Sequence, residues 1–399
     1  MQLSSEVLNR VTYLTGSVEI ASTLPKTRAL GPFDDNVIEF LNDVSKELMG
    51  NKSAKAYSDV VTFAFWIRKG SVLRLKERFH KEGLLLGKGV AFHIAPSNVP
   101  VNFAYSLVTG LLCGNANVVR VPSKDFPQVV IIIEALNKVL EQYEKMKHYV
   151  VCVRYDRDKE INDLFSSIAD VRVVWGGDRT IAELRKSPLP PRSGEITFAD
   201  RYSIAVIDSD EYLSIEDKDK VAEDFYNDTF FSDQNACTSP RIVIWTGNRI
   251  EEAKQLFWRN EHELVKKKYT FQAIQGVNKL TQSYLIAANH DVIVEDRIDN
   301  LIVRVKVNEL TDDLMDYRDN SGYFYEYDCK DIMELETFCN DKRCQTIAYI
   351  GNKEIIRPLI ESGIKSIDRI VPIGKTMDFG LIWDGYDLPA MLTRIIVCE

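Results

Sequence analysis

The chain has 399 residues, of which 45% are hydrophobic and 27% charged, and this ordinary globular composition excludes extensive disorder. The formal net charge of −9 argues against nucleic acid as a partner, because proteins that bind nucleic acid normally carry a basic surplus. The first residues lack the basic and apolar regions of a signal peptide, and no apolar run reaches the ~18 residues that span a bilayer. We therefore expect a cytoplasmic protein with no membrane span.

The seven cysteines are widely spaced, and their number is odd, which argues against a disulfide framework. The sequence also lacks the paired cysteine or histidine spacing that is typical of a metal site, so no metal is expected. Most of these cysteines are therefore predicted to be small residues of the hydrophobic core.

The predicted elements alternate between strands and helices after an N-terminal part, residues 1–85, that is mainly helical. This alternation is typical of βαβ units and a mostly parallel sheet. In chain order we predict a strand in GKGVAFHIAP, a helix at 104–113, a strand at 117–121, a helix at 127–143, strands at 149–154 and 170–175, and a helix at 180–186.

A connector rich in proline and serine, SPLPPRSG at 187–194, separates this half from a second one. The strand predicted at 202–208 marks the boundary between two lobes. The second half repeats the alternation, with a strand at 241–246, a helix at 249–261, a strand at 301–307, a helix at 331–339, a strand at 346–350 and a helix at 353–362.

One cysteine lies in a position suited to covalent chemistry. Cys237 belongs to FFSDQNACTSPR, between a helix-like segment and a buried-looking strand. A cysteine in such a loop can act as a nucleophile while its own backbone N–H stabilises an oxyanion. Taken alone, an inert buried cysteine is the simpler interpretation.

Three further segments follow predicted strands, where open α/β sheets bind their ligands. Asn98, in HIAPSNVPVN, offers a neutral amide donor for an oxyanion, although asparagine is also a common turn former. Ser123 and Lys124, in VVRVPSKD, precede a helix and suit phosphate. Gly176 and Gly177, in VRVVWGGDRT, permit a close backbone approach to a diphosphate. Each segment alone is also compatible with ordinary loop chemistry.

Together and in this order, the four segments resemble the aldehyde dehydrogenase superfamily from about Lys88 onward. HIAPSNVP is similar to the strand and turn that bear the oxyanion asparagine, GNANVVRVPSK to the segment written GN-x-V-x-x-KPSE, VVWGGD to the turn over the cofactor diphosphate, and FFSDQNAC to the nucleophile block. QNACTSPR, ITFADRYSIAVID and RIVPIGKTMDFGLIWDGYDL resemble one branch, the acyl-CoA reductases of the bacterial bioluminescence fatty-acid reductase complex.

Two departures from the general family bear on function. Aldehyde-oxidising members carry a water-activating glutamate, and Thr197 stands at its position, with Glu195 close but out of register. This favours acyl exchange with a thiol over oxidation to an acid. In the KPSE segment Val121 replaces the lysine and Lys124 the glutamate. A lysine attracts a 2′-phosphate that a glutamate would repel, which favours NADPH, with NADH as the alternative.

The resemblance implies an aldehyde-dehydrogenase-like α/β fold of two lobes, each with a mostly parallel sheet flanked by helices. We expect an NADPH-binding domain at 1–203, a catalytic domain at 204–375 and an oligomerisation tail at 376–399. Cys237 and Asn98 are the implied catalytic residues, and Ser123, Lys124, Gly176 and Gly177 the implied cofactor residues.

The implied function is the NADPH-dependent reduction of a fatty acyl-CoA, or of an acylated protein partner, to the aldehyde by a homo-oligomer. Three alternatives remain open. They are an acyl-phosphate reductase on the same fold, an aldehyde oxidase, which Thr197 disfavours, and a non-catalytic scaffold that binds an acyl-protein synthetase.

Overall fold

The computed structural model describes residues 4–79, 83–295 and 297–398. The chain divides into two compact units. The first unit comprises the described residues up to Ala199 together with those from Tyr386 onward, and the second comprises Asp200–Gly385. The division lies close to the boundary expected at 203, whereas the segment expected to form a tail, 376–399, is shared between the two units.

Strands of the first unit carry the segments with predicted cofactor chemistry. Their bounds are β1 Thr12–Thr15, β2 Leu84–Gly87, β3 Val90–Ile94, β4 Ala116–Arg120, β5 Val150–Arg154, β6 Val171–Trp175 and β7 Gly194–Phe198. Strands of the second unit are β8 Tyr202–Asp208, β9 Pro240–Thr246, β10 Val292–Val294, β11 Val303–Val307, β12 Tyr323–Asp328, β13 Cys344–Ile350, β14 Arg369–Pro372 and β15 Ile382–Trp383. After these, β16 Tyr386–Asp387 and β17 Thr393–Ile396 return to the first unit.

Helices flank the strands in both units. In the first unit they are α1 Ser5–Leu8, α2 Val18–Thr23, α3 Asp35–Gly50, α4 Ser58–Trp66, α5 Lys69–Arg78, α6 Asn102–Leu112, α7 Pro127–Leu140, α8 Lys159–Ile168 and α9 Asp178–Leu184. The second unit has α10 Ser209–Ser214, α11 Lys218–Asp228, α12 Ile250–Lys268, α13 Ala273–Asn289, α14 Glu336–Cys339 and α15 Arg357–Glu361, and α16 Leu388–Leu392 lies in the first unit. Short 3₁₀ turns lie at Leu24–Lys26, Ala54–Ala56, Glu144–Tyr149, Phe230–Ser232, Leu314–Tyr317, Ile332–Leu335 and Lys353–Ile356.

Within the described residues, the first unit has a six-stranded sheet in the order β1-β5-β4-β3-β6-β7, parallel except for β1. Strands β3 and β6 are buried along their whole length, as strands covered by helices on both faces must be. The strand order reverses between β3 and β6. Ligands of open α/β sheets bind at the carboxyl ends of the strands at such a reversal, so the topology alone marks this edge as a ligand site.

The sheet of the second unit is also mostly parallel. Across the residues described there, its order is β10-β11-β12-β9-β8-β13-β14, and only β10 runs antiparallel to its neighbour. Ile204 and Val206 of β8 pack into one apolar cluster, and Ala205 and Ile207 into another. Successive side chains point to opposite faces, so both faces of β8 are buried. The prediction of mostly parallel sheets is confirmed.

The two-stranded ribbon of β2 and β17 joins the C-terminal residues to the first unit, with Thr393 opposite Gly87. None of the described helices is long and apolar enough to cross a membrane. Within the same parts of the chain, no cluster of three or more histidine, cysteine, aspartate or glutamate residues is placed to hold a metal ion.

Candidate active site

The first unit brings its predicted site residues to one edge of the sheet. Asn98 follows β3, Ser123 and Lys124 follow β4, and Gly176 and Gly177 follow β6. These strands are parallel neighbours in the order β4-β3-β6, so their carboxyl ends share an edge. The edge includes the reversal between β3 and β6, where the topology favours ligand binding.

Asn98 is exposed in the loop between β3 and α6. Its loop is anchored at the base, where the Ala95 N–H donates to the Arg120 carbonyl at 3.0 Å. The side chain therefore lies outside the core. Its replacement is expected to leave the packing of the first unit intact.

Ser123 and Lys124 are also exposed. The Lys124 ammonium lies 5.1 Å from the centre of the Phe126 ring, just before α7 begins. The next residue, Asp125, accepts a 2.7 Å hydrogen bond from Arg154, so a cation offsets its charge. This segment therefore offers a surface cation beside a neutralised carboxylate, which suits an incoming phosphate better than a free carboxylate would.

The two glycines after β6 have different surroundings. A Cβ added to Gly176 would lie 3.1 Å from Thr180, whereas one added to Gly177 would meet nothing within 4 Å. Gly177, with a φ of −62°, caps the start of α9. Its conformation does not require glycine, and the space above its backbone is open. This open space fits the close approach of a ligand such as a diphosphate.

A buried chain of hydrogen bonds lies beneath this edge. Trp175 donates from Nε1 to Ser106 Oγ at 3.1 Å, and Ser106 Oγ lies 2.7 Å from His93 Nδ1. His93 Nε2 lies 3.0 Å from Asn117 Oδ1, and the Asn117 amide nitrogen donates to two backbone carbonyl groups. Asn117 Oδ1 must therefore accept, which places the ring proton on His93 Nε2 and makes Nδ1 the acceptor from Ser106.

Burial lowers the pKa of His93 to about 4, so the ring is neutral at physiological pH. The chain of donors connects β3, β4, β6 and α6, and it ends at Trp175, directly before the two glycines. Trp175 also stacks on Phe198 of β7 at 3.6 Å. These contacts fix the strand ends from which the exposed loops begin. The sequence prediction missed this hydrogen-bond chain because it treated His93 only as part of a strand.

Glu195, which the sequence places near the position of the family's water-activating glutamate, is engaged in ion pairs. Its carboxylate accepts from the buried Arg172 at 3.3 Å and from Arg185 at 3.2 Å. Thr197 lies two residues further along β7, and its side chain therefore points to the same face of the strand. Neither residue presents an unengaged carboxylate on this face.

Cys237 lies in the second unit, in the loop that leads into β9. Five of the seven cysteines are buried and Cys398 is exposed, whereas Cys237 is intermediate in exposure. Its carbonyl oxygen accepts a 2.8 Å hydrogen bond from Ser203 of β8, and the next residue, Thr238, donates to Met377 Sδ at 3.3 Å. The loop is thus held in a defined conformation, and Cys237 differs from the five buried cysteines in its intermediate exposure.

The electrostatic surroundings keep the thiol protonated. Burial, and to a smaller extent the carboxylate of Asp384, raise the pKa of Cys237 to about 12, while Arg201 opposes the rise. Asp384 itself is buried and accepts a hydrogen bond from Gln345, and burial raises its pKa to about 7. The free protein therefore holds a thiol rather than a thiolate at neutral pH, and the proton must leave as an acyl group is attacked.

The residues before Cys237 adopt an uncommon backbone. Asp233 and Gln234 both have left-handed conformations, with φ of 51° and 57°. The Gln234 side chain is completely buried. The sequence prediction named neither residue, because their hydrogen-bond partners lie far away along the chain.

The architecture is that of the aldehyde dehydrogenases. A 1-pyrroline-5-carboxylate dehydrogenase from Thermus, solved with bound NAD, matches with a TM-score of 0.64 and 13% identity over 96% of this chain and 85% of that chain. Lactaldehyde dehydrogenase from Escherichia coli matches with a TM-score of 0.66 and 12% identity over 99% of this chain and 92% of that chain. Likeness at these identities defines the fold alone. The predicted aldehyde-dehydrogenase-like fold is confirmed.

Within that fold, the sequence is similar to one family over part of its length. The family model described as acyl-CoA reductase (LuxC) matches residues 72–269, a range that includes Asn98, Lys124 and Cys237. A long-chain acyl-protein thioester reductase of Aliivibrio fischeri is 24% identical over 301 residues, which are 73% of this chain and 60% of that protein. The chain thus spans less than two thirds of the length of that protein. Over the matched residues the chain is similar to the LuxC acyl-CoA reductases, as the resemblance of its motifs predicts.

Proposed function

We propose that this protein is an oxidoreductase that reduces an acyl thioester to an aldehyde through an acyl group on Cys237. The observation that carries the proposal is the Cys237 loop, which lies within the region matched to the acyl-CoA reductases and holds a free cysteine of intermediate exposure. The names of the curated relatives, long-chain acyl-protein thioester reductases, support the same chemistry.

The covalent step begins when the Cys237 sulfur attacks the thioester carbonyl and its thiol proton is released. The backbone N–H of Cys237 and the amide of Asn98 act as donors to the oxyanion, and such donors are typically worth about 3–4 kcal/mol each. The carbonyl re-forms as the leaving thiolate departs and takes up a proton. The result is an acyl-Cys237 thioester, which accepts hydride more readily than a carboxylate would.

The first unit fits a nicotinamide dinucleotide as the source of that hydride. The open space above Gly177, the reversal between β3 and β6, and the exposed Ser123 and Lys124 supply a diphosphate approach and a phosphate-binding loop at one edge. When bound, the dinucleotide would supply a hydride to the acyl carbon. Lys124 favours NADPH over NADH, because its ammonium attracts the 2′-phosphate.

The acyl-Cys237 group is expected to resist water. Thr197 cannot act as a base near neutral pH, and the Glu195 carboxylate is engaged in ion pairs with Arg172 and Arg185. The arrangement favours transfer to hydride over hydrolysis, and so favours aldehyde formation over oxidation to an acid.

We also propose that the protein is a homo-oligomer to which the C-terminal segment contributes. Leu84 of β2, Ile395 of β17 and Val397 are large apolar side chains left exposed on or beside the two-stranded ribbon. Leu84 and Ile395 point to opposite faces of the ribbon, because Leu84 pairs with Ile396, and exposed apolar side chains of this size favour a subunit contact. Sedimentation of the protein and of an Ile395→Glu variant would test this contact, and an unchanged oligomeric state would contradict it.

The proposed activity is tested by intact-mass analysis after incubation with acyl-CoAs of several chain lengths, without NADPH. We expect an added acyl mass, located on the Cys237 peptide, that persists until NADPH is added and aldehyde appears.

Acyl phosphates and an acylated carrier protein, offered in parallel, distinguish the donors. An adduct from acyl phosphate alone would favour the acyl-phosphate reductase, and no adduct from any donor would favour a non-catalytic scaffold. Rapid release of free acid would contradict the role assigned to Thr197.

A further inference from the structure

The loop that presents Cys237 is held in an uncommon conformation by one buried side chain, Gln234. Two consecutive non-glycine residues, Asp233 and Gln234, have left-handed backbones. This conformation costs free energy for residues with a Cβ and persists only where the surroundings determine it. The turn ends three residues before Cys237, so whatever stabilises it also sets the path of the chain to the thiol.

The Gln234 carboxamide makes four hydrogen bonds, all to backbone groups. Its Nε2 donates to the carbonyls of Pro240 at 2.9 Å and Tyr323 at 3.2 Å. Its Oε1 accepts from the N–H groups of Gly322 at 3.0 Å and Tyr323 at 3.3 Å. A primary amide has two donor hydrogens and two acceptor lone pairs, so this group is fully satisfied.

The position of the carboxamide explains why a glutamine is needed there. Strands β9 and β12 pair in parallel with Tyr325 opposite Ile242, so two residues earlier Tyr323 lies opposite Pro240. Pro240 has no N–H and cannot continue the ladder. The Gln234 side chain lies between the two strands at this point and acts as an inserted peptide group, because it bonds to both strand ends.

The same loop makes two further contacts with the segment before β12. The Ser321 N–H donates to the Asp233 carbonyl at 3.0 Å, and Asn320 donates to the Asn235 side chain at 2.6 Å. We call the Gln234 bonds and these two contacts the clasp. On the other side of the thiol, Ser203 fixes the Cys237 carbonyl. The chain from 234 to 237 is therefore held at both ends.

We propose that Gln234 is a positioning residue, which orients the Cys237 thiol and its backbone N–H for attack on an acyl group by bridging β9 and β12. The inference rests on the proposed function for its acyl step. The geometry of the thiol itself can be measured without any acyl substrate, because iodoacetamide alkylates a cysteine directly.

The decisive variant is Gln234→Glu. A carboxylate keeps the shape and accepts from Gly322 and Tyr323, but it cannot donate to the Pro240 and Tyr323 carbonyls, and it repels them. Burial and these carbonyl oxygens favour the neutral acid, which regains one donor when protonated. We expect iodoacetamide to alkylate Cys237 at least about tenfold more slowly in Gln234→Glu than in the wild type at pH 7.5. The ratio of the variant's alkylation rate to that of the wild type should rise toward one as the pH falls to about 5.5. For acyl transfer, kcat should fall by a similar factor with little change in KM.

The matched control is Gln255→Glu, on the exposed face of α12, which introduces the same charge without touching the clasp. Its rates should equal those of the wild type at every pH. Asn235→Ala provides a second test that leaves the buried core unchanged, since the exposed Asn235 side chain accepts the outer hydrogen bond of the clasp, from Asn320. This variant should alkylate severalfold more slowly while its thermal unfolding is unchanged, even if Gln234→Glu fails to fold.

An alkylation rate of Gln234→Glu equal to that of the wild type at all pH values would overturn the proposal. A reduced rate ratio with no pH dependence, or a normal alkylation rate in Asn235→Ala, would overturn it as well. Failure of the proposed function gives a different pattern. In that case no acyl donor modifies the wild type, while the alkylation ratios still follow the prediction.

Discussion

The two units present their candidate residues in opposite ways. In the first unit, Asn98, Ser123, Lys124 and Gly177 are exposed on loops that follow strands, and the ordered hydrogen bonds lie beneath them, in the chain through His93. In the second unit, the candidate nucleophile lies in a loop whose own backbone is fixed by buried hydrogen bonds.

This contrast follows from what each region is expected to do. Loops that bind a large dinucleotide must leave their polar groups open to it, so rigid strands support them from below. A nucleophile must meet a carbonyl carbon at a defined distance and angle, and an error of about 1 Å can cost about a hundredfold in rate. Substitutions in the loops of the first unit should therefore alter binding of the dinucleotide with little effect on the stability of the fold. Substitutions around the Cys237 loop should instead alter the position of the thiol.

The largest effect is expected for Cys237→Ser. The variant should form no acyl adduct and no aldehyde, because an alcohol at this position is a far weaker nucleophile than a thiol. Binding of the dinucleotide, which we propose for the first unit, should be unchanged. Intact mass and fluorescence titration measure the two properties.

The control for Cys237→Ser is Cys398→Ser, which removes the exposed thiol and should retain the adduct. An acyl mass on the 237 peptide of the serine variant, or loss of the adduct in Cys398→Ser, would assign the chemistry to another residue.

A large but incomplete effect is expected for Asn98→Ala. The loss of an oxyanion donor should lower kcat by at least about tenfold, whereas the melting temperature should change little because the side chain is exposed. Ser97→Ala, on the same loop, is the matched control and should retain the wild-type rate. Normal turnover in Asn98→Ala would show that this residue only forms the turn.

Most of the strands that position the site were predictable from local sequence. The strand expected at 202–208 is β8, and the strand expected at 117–121 is β4 displaced by one residue. Short apolar runs bounded by turn residues carry this information, because a buried parallel strand needs apolar side chains on both faces. The helix expected at 331–339 is instead a 3₁₀ turn, Ile332–Leu335, followed by the short helix α14.

The clasp could not be predicted, because its partners are distant in sequence. Gln234 and Tyr323 are 89 residues apart, and β12, which carries Tyr323, was not predicted.

Helix α13 was also missed. Val277 and Tyr284 on this helix are exposed while Lys279 and Ser283 are buried, so its polarity is the reverse of what hydrophobic periodicity implies. Only the tertiary structure reveals that buried polar groups hold this region.

A smaller effect, on cofactor choice, is expected for Lys124→Glu. The substitution should lower the ratio of kcat/KM for NADPH to that for NADH by about tenfold or more, because it replaces a cation with a carboxylate near the expected 2′-phosphate. Lys145→Glu is a matched exposed control, since it lies in the turn before β5, at the opposite end of the strands. A wild type that prefers NADH, or an unchanged ratio, would remove the support for NADPH.

The smallest effect concerns stability, and it tests whether the second unit is held by buried polar groups. Lys279 is completely buried and donates to the carbonyls of Leu301 at 3.0 Å and Ser321 at 2.8 Å, directly beside the clasp. Burial lowers the pKa of its ammonium from 10.5 to about 7. Between these two pH values the unfolded chain binds a proton that the folded chain does not, so the free energy of unfolding rises with pH in this interval. Below pH 7 both states carry the proton, and this contribution no longer changes with pH.

The substitution Lys279→Met removes this titration. Relative to the variant, the wild type should gain about 2 kcal/mol in the free energy of unfolding between about pH 7.5 and about pH 9, since one pH unit of differential binding corresponds to about 1.4 kcal/mol. Urea unfolding at several pH values measures the difference, and Lys267→Met, at an exposed lysine of α12, is the control with an unchanged slope. Parallel pH profiles for wild type and Lys279→Met would show that the buried ammonium titrates normally. The second unit would then owe its rigidity to the Gln234 bonds rather than to Lys279.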